Sequence, residues 1–395
     1  MSYEDSLNIL KDTVEIWDKV EKIAITDALD RNIAHDVIAD KNYPAKPVSA
    51  MDGYAFAFKD GLSELELITD LPAGSDKGLV IEGSKCVKTF TGSLMSEGTD
   101  TLVPVENVEV SGSKIIIKKS VPKGFAVREV GESYKKGEIL IKKGTRLTYA
   151  EIALLAELGI FHVSVFIRPR VAIIATGSEI KDLGEPLENA AQIHSSNHIG
   201  IAMQIRKIGA EPILCEIVKD EATLVKKAII NALKSADILI TTGGVSMGDY
   251  DFVKDTLKEN FSVIIDKAAI KPGRHIKIAK SGEKYIFALP GFPYSAMVMC
   301  VLYVRVLINL WLGNDEPKIT AIMDEDYKKR SPFLEFTAVN LENREGKNFV
   351  NLNGKKLGSS AIVNNLTNKA ALLMIPMDKE ILKKGEIVEV LMIPC

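Results

Sequence analysis

The chain has 395 residues, 50 Lys and Arg against 53 Asp and Glu, and a formal net charge of −3. A composition 46% hydrophobic and 26% charged is enough for packed cores and excludes global disorder, while the near-balance of charge gives no general pull toward nucleic acid or anionic membranes. At roughly 150 residues per domain, the length predicts two to four domains.

Leu7, Leu10, Val14, Trp17 and Val20 recur at helical spacing, which predicts helix through much of the first forty residues. The N-terminal MSYEDSLNILKD has acids where a secretion signal has bases, so a cytoplasmic protein is expected. Two prolines in Lys41–Pro47 break the pattern. From Ser49 to about Gly124 short apolar runs (Leu65–Ile68, Thr101–Val105, Lys114–Lys118) alternate with turn residues, the mark of a β-rich domain. Thr148–Leu158 reads as a helix ended by Gly159. After Arg168-Pro169 the texture becomes βα: strands at Val171–Ala175, Ile213–Val218 and Asp237–Thr242 alternate with helices at Asn197–Ile208, Glu221–Lys234 and Phe252–Glu259, predicting a parallel sheet. Tyr294–Leu312 is apolar enough to cross a membrane, but Arg305 in its middle favours a buried core helix. From Pro317 to Cys395 the pattern is β-like again. Cys86, Cys215, Cys300 and Cys395 form no CxxC pair and read as incidental thiols of a reducing compartment.

Ligands of such sheets bind at the carboxyl ends of the strands, where several clusters fall. The loop Thr241–Asp251, TTGGVSMGDYD, leaves a strand, carries three glycines and runs into a helix. Its backbone N–H groups suit a phosphate, and Asp249 and Asp251 suit a magnesium ion beside it. A tight βα loop with aspartates as helix caps is the plain alternative. Glu179 and Asp220 follow two neighbouring strands, so three carboxylates from three strand ends have the means to share one hard cation. In the segment Lys267–His275 a Pro-Gly turn lets Lys271 with Arg274 present cations that suit an oxyanion, or it forms an ordinary basic surface turn. Pro290, Pro293 and Ser295 build a rigid turn, either an anion-binding N-terminus or helix-start chemistry alone. His194 and His198, four apart, suit a metal pair, although a lone helical pair more often lies on a surface. No HExxH, GxxxxGK[ST] or strand-borne GxGxxG is present, which disfavours zincins, common NTPases and dinucleotide dehydrogenases.

The segments PVSAMDGYA, TGSLMSEGTDTLVPVE, REVGES, ATGSE, ITTGGVSMGDYD, IKPGR and LPGFPYSA occur in an order that resembles the gephyrin E-domain family, whose bacterial members are molybdopterin molybdenumtransferases. The resemblance implies a multidomain α/β plus β fold: a split N-terminal domain with helices (1–40 and 125–168), a β-rich insertion (41–124), an α/β molybdopterin-binding domain like molybdopterin adenylyltransferase (169–314) and a C-terminal β-barrel (315–395). It implies insertion of molybdenum from molybdate into adenylylated molybdopterin, with release of AMP and a requirement for Mg2+. It further implies a homodimer with molybdopterin adenylyltransferase as transient partner, and neither nucleic acid nor membrane. By residue, Asp251 and Glu179 match acids that hold the metal and act with Asp52 in catalysis. Thr91, Gly243, Gly244, Ser246, Gly248, Asp220, Lys267, Pro290 and Pro293 match substrate-binding positions, with Asp52 and Thr91 brought to the cleft by the dimer partner. Lys271, Arg274, Ser295 and Ser359 match the molybdate site.

The chain departs from the family pattern at Ser133 and Ser178, where carboxylates are usual, at Arg274 (usually lysine), at Phe292 (usually asparagine) and around Ala338, where an arginine for molybdate is expected. Two other readings remain beside the insertase: an adenylyltransferase-type enzyme acting on molybdopterin, and a non-catalytic dimeric scaffold.

Overall fold

A computed structural model describes residues 1–245, 252–315 and 318–394. The chain divides into two compact units, one of Met1–Ala34 with Lys143–Cys395 and one of His35–Lys142.

In the larger unit helix α1 (Tyr3–Asp12) opens with a capping box in which the Asp5 amide donates to Ser2 Oγ at 3.0 Å. The helix stops at Thr13, short of the extent expected from sequence. Val20–Ala24 is instead a strand, paired antiparallel with His162–Phe166. The apolar residues after Thr13 repeat at helical spacing but belong to tertiary packing: Trp17 is buried, stacks on Trp311 with centroids 4.6 Å apart, and donates Nε1–H to the Ile167 carbonyl. Helix α2 (Tyr149–Glu157) is capped by Thr148, as its sequence signals.

The α/β part is built on strands β1 (Arg170–Ala175), β2 (Glu211–Leu214), β3 (Ile238–Thr242), β4 (Ser262–Ile265), β5 (Lys277–Ser281) and β6 (Lys284–Leu289), with helices α3 (Ser196–Lys207), α4 (Ala222–Ser235), α5 (Phe252–Asn260) and the apolar α6 (Pro293–Leu312). The sheet order is β2-β1-β3-β6-β5-β4. The first four strands are parallel, and β5 and β4 extend the sheet antiparallel, so it is mixed rather than purely parallel. The hairpin β5–β6 turns on Gly282-Glu283, with Gly282 at φ 61°. Alternate residues of each strand feed opposite cores. Val171, Ile173, Ile240 and Phe287 pack with α3 and α6, whereas Ala172, Ile174, Leu239 and Ile286 pack with α4 and α5. Helix α6 is long and apolar enough to cross a membrane, yet 94% of its most apolar window is buried inside the protein. Arg305 within it donates to the Met392 carbonyl.

Strands Lys318–Met323, Leu334–Arg344, Lys347–Asn351, Ala370–Ile375 and Ile387–Met392 close on one another into a five-stranded barrel. A two-residue strand, Ile270–Lys271, joins it by pairing parallel with Leu334–Glu335. This short ladder fixes Lys271 at the seam between α/β sheet and barrel.

The smaller unit carries a six-stranded sheet in the order Thr101–Pro104, Gly53–Phe56, Lys85–Thr89, Glu64–Leu71, Lys114–Ile117, Val108–Ser111. Its core includes Tyr54, Phe56, Leu65, Cys86, Val103 and Ile115. Burial pushes the Cys86 thiol up to about 12, and Cys300 in the larger unit likewise, so neither is poised as a thiolate ligand.

Candidate functional site

At the carboxyl ends of β1, β3 and β6 lies a cavity of about 760 Å³, a size suited to a nucleotide- or cofactor-sized ligand. Thr176, Gly177, Glu179 and Asp220 line it together with Gly243, Gly244, Lys271, Arg274, Pro290, Pro293 and Ser295. The strand ends converge because β1, β3 and β6 are parallel neighbours in register, Ala175 beside Thr242 and Thr242 beside Leu289.

Close backbone approach explains the glycines. Gly243 has φ 96°, and a Cβ there would lie 2.7 Å from the Thr176 carbonyl oxygen. Its amide donates to the Leu289 carbonyl at 3.1 Å, locking β3 to β6 where the loop begins. Asp220 Oδ2 accepts the Ser178 amide at 3.2 Å. Position 178 therefore keeps a link to a neighbouring carboxylate although its own side chain is a hydroxyl. Glu179 is exposed at the cavity rim.

At the cationic end, Arg274 holds its guanidinium 4.8 Å over the Phe333 ring, and Lys271 Nζ donates to the Arg330 carbonyl at 3.4 Å. Ser295, buried at the start of α6, donates its amide to the Ser360 carbonyl at 3.3 Å. Phe292, 61% exposed, presents its ring to the cavity where the family pattern has an amide.

A second, smaller chamber of about 40 Å³ shares Lys271, Pro272 and Ser360 with the first and adds Arg330, Glu335, Ala338, Lys356, Gly358 and Ser359. Ser359 thus lines this side chamber.

Two cleft residues, Ser195 and Asn197, escaped the sequence reading, and Thr242 entered it only as part of the Thr241–Asp251 loop. Among the described residues Ser195 Oγ, Asn197 Oδ1 and Thr242 Oγ1 are buried without a hydrogen-bond partner, and all three residues line the large cavity. Buried polar atoms of this kind need explaining by a ligand or water. HSSN before an apolar helix was a visible signal, but it reads as helix-start chemistry when only local sequence is considered.

Several candidates lie elsewhere. Lys267 is exposed beside Asp266, whose carboxyl it helps to hold below the usual range behind the larger effect of Lys277, and it is not among the cavity-lining residues. Asp52 and Thr91 belong to the smaller unit, where Asp52 Oδ1 accepts from the Thr91 amide at 2.9 Å and hydroxyl at 3.1 Å. Ser133 there accepts from Arg128, which also pairs with Glu132. Ser246, Gly248, Asp249 and Asp251 lie outside the described residues.

His194 and His198 do not form a metal pair. His194 sits on the strand Ile193–His194 and contacts the Glu185 carbonyl, while His198 is buried in α3 against the Ile173 carbonyl, with burial holding its pKa down. Among the described residues no group of three or more His, Cys, Asp or Glu is arranged for a metal. Glu179 and Asp220 still fit magnesium chemistry, because Mg2+ commonly takes only one or two carboxylates and completes its shell with phosphate and water.

Comparison with known proteins agrees with this architecture. Residues 1–159 match the family model described as MoeA N-terminal region (domain I and II), and residues 172–309 match the probable molybdopterin binding domain. A molybdopterin molybdenumtransferase of Bacillus subtilis is 32% identical over 390 residues, covering 95% of this chain and 90% of that relative. One from Nostoc is 31% identical and covers 100% of this chain and 94% of its own length. The solved molybdopterin biosynthesis moeA protein of Pyrococcus horikoshii OT3 superposes with a TM-score of 0.85 at 29% identity, covering 99% of both chains.

Proposed function

Since the chain belongs to the molybdopterin molybdenumtransferase family, and is thereby an enzyme of molybdenum cofactor biosynthesis, we propose that it converts adenylylated molybdopterin and molybdate into molybdenum cofactor and AMP. The observation that carries this reading is one cavity lined by Glu179, Asp220 and the Gly243–Gly244 backbone as well as by Lys271, Arg274 and Ser295. A nucleotide phosphate and a separate oxyanion need such a mixed lining: acids for a cation, N–H groups for phosphate, and cations with hydroxyls for molybdate.

The Gly244 amide takes the phosphates, with Ser246 and Gly248 continuing that loop, while Gly243, whose amide is held by the Leu289 carbonyl, lets the backbone approach closely. Glu179 and Asp251 hold Mg2+, which supplies charge neutralisation at the phosphate link between AMP and molybdopterin. Lys271, Arg274, Ser295 and Ser359 hold molybdate beside the dithiolene sulfurs, which supply the molybdenum ligands, so no protein cysteine is required. Asn197, Ser195 and Thr242 offer hydrogen bonds to the bound substrate. Catalysis on this scheme is placement and charge neutralisation.

We also propose that the enzyme is a cytoplasmic homodimer in which the Asp52–Thr91 pair serves the partner's cleft, and that it receives substrate from molybdopterin adenylyltransferase. Light scattering tests the dimer, whose mass is then twice 43.2 kDa; a mass of one chain overturns it.

The activity test is AMP release from adenylylated molybdopterin with magnesium, with and without micromolar molybdate. Release is expected to require molybdate and to be lost in Asp251→Ala. Pyrophosphate production from molybdopterin and MgATP would instead mark adenylyltransferase chemistry. Tight nucleotide binding without any turnover would leave a scaffold.

A further inference from the structure

We infer that Arg330 is the guanidinium of the oxyanion subsite, occupying from the barrel's edge the role that the sequence leaves vacant at Ala338. The inference deepens the molybdate reading above and rests on it.

The small chamber is lined by three cations, Lys271, Arg330 and Lys356, against one carboxylate, Glu335. Among the described residues none of the three cations has an ion-pair partner. Among the described residues Glu335 forms no ion pair with any of them. It is buried, and its oxygens already accept from Tyr327 Oη at 2.6 Å, Thr337 Oγ1 at 3.0 Å and the Arg330 amide at 3.1 Å. The last of these bonds anchors the Arg330 backbone, and Lys271 Nζ holds the Arg330 carbonyl at 3.4 Å. Residue 330 is fixed at both its peptide groups while its guanidinium stays available.

The position of that guanidinium is shaped by Gly358. A Cβ built there would lie 2.9 Å from Arg330 Nη1, and Gly358 has φ 93°. Arg330 Nη1 rests over a residue with no side chain, the one that precedes Ser359 and Ser360 in the sequence. At Ala338 only a buried methyl lines the chamber, and its amide donates to Tyr294 Oη at 2.9 Å. The volume of about 40 Å³ holds roughly three water-sized atoms. That suits a tetrahedral dianion with one corner left at the shared opening beside Lys271 and Ser360, and it is far too small for a nucleotide. Arginine adds a planar fork of donors that lysine lacks, so Arg330 with Lys271 supplies a directional and a point charge to the same ion.

The experiment measures molybdate and AMP binding separately by calorimetry on the intact protein, together with molybdate KM and kcat. In wild type, absence of molybdate binding overturns the molybdate reading itself. If wild type binds, Arg330→Ala is expected to weaken molybdate at least 10-fold and raise its KM, while AMP affinity stays within 2-fold. Arg330→Lys is expected to recover part of the loss. Gly358→Ala keeps the arginine but displaces its guanidinium, and is expected to weaken molybdate alone. Unchanged molybdate affinity in Arg330→Ala overturns the inference. Equal loss of molybdate and AMP overturns it as well, because it would reduce Arg330 to a structural role.

Discussion

Gly243→Ala is expected to lower AMP release about 100-fold and to destabilise the larger unit by about 2–5 kcal/mol, the sum of a left-handed residue and an overpacked contact. The new methyl would meet backbone rather than a yielding side chain: 2.7 Å to the Thr176 carbonyl oxygen, with Thr176 Oγ1 at 2.9 Å. Thr176 has little freedom to retreat. Its amide donates to the Thr242 carbonyl at 3.0 Å, and it bridges Val218 on the other side. Relief must therefore come from the 243–244 loop, where Gly244 is itself confined at φ 65° by Val253. A shift on the order of 1 Å in groups that position the substrate costs about 100-fold, whichever part of the strain the fold absorbs. Gly282→Ala is the control. At φ 61° it too has a positive dihedral, but nothing lies within 4 Å of its new methyl, and it sits in the β5–β6 turn. It is expected to lose about 1–2 kcal/mol and keep full turnover. Urea midpoints and steady-state rates on both variants separate strain in the chain from damage to the site; full turnover in Gly243→Ala would dismiss the close-packed loop as the phosphate cradle.

The parts of this architecture legible in sequence are those set by local physics. Val171–Ala175 and Ile238–Thr242 announce themselves because strands buried on both faces must be apolar throughout. Parallel neighbours then bring their carboxyl ends to one edge, which is why Glu179, Asp220, Gly243 and Gly244 share a cavity despite their separation in sequence. Trp17 misleads because helical spacing cannot distinguish a helix face from isolated residues docking on Trp311, nearly three hundred positions away. The hairpin β5–β6 was hidden by its lysines, although Lys277 is buried against Asp266 at 2.5 Å and reads as surface only from composition. Arg330 was out of reach for a different reason. Its chamber is assembled from Lys271, Arg330 and Gly358, which meet only through the Ile270–Lys271 pairing with Leu334–Glu335 and the closure of the barrel. No local pattern carries that information. The departure at Ala338 marks a missing charge, and only three-dimensional packing identifies another cation beside the gap.

Lys271→Met is expected to reduce kcat/KM for molybdate about 100- to 1000-fold, more than any other single substitution on the cationic side. Among the described residues Lys271 is the one lysine that lines both the large cavity and the side chamber, so on the proposed scheme its charge serves the oxyanion and the nucleotide-bearing substrate together. Loss of one charge-assisted hydrogen bond costs about 1.5–3 kcal/mol, or roughly 10- to 150-fold, and a group serving both ends loses part of a second. Methionine preserves the length and most of the packing of the half-buried stem, so the Ile270–Lys271 ladder to the barrel and the thermal midpoint should survive. The weak 3.4 Å bond from Nζ to the Arg330 carbonyl is a minor structural loss by comparison. Lys271→Arg should recover only part of the activity, because a planar fork does not reproduce a point charge placed between two anions. Measured against molybdate concentration, Lys271→Met should show a raised KM and a lowered kcat together, since the ground-state ion and the cleaving phosphate both lose a partner. A raised KM with unchanged kcat would confine Lys271 to the side chamber, and unchanged values of both would remove it from the site altogether.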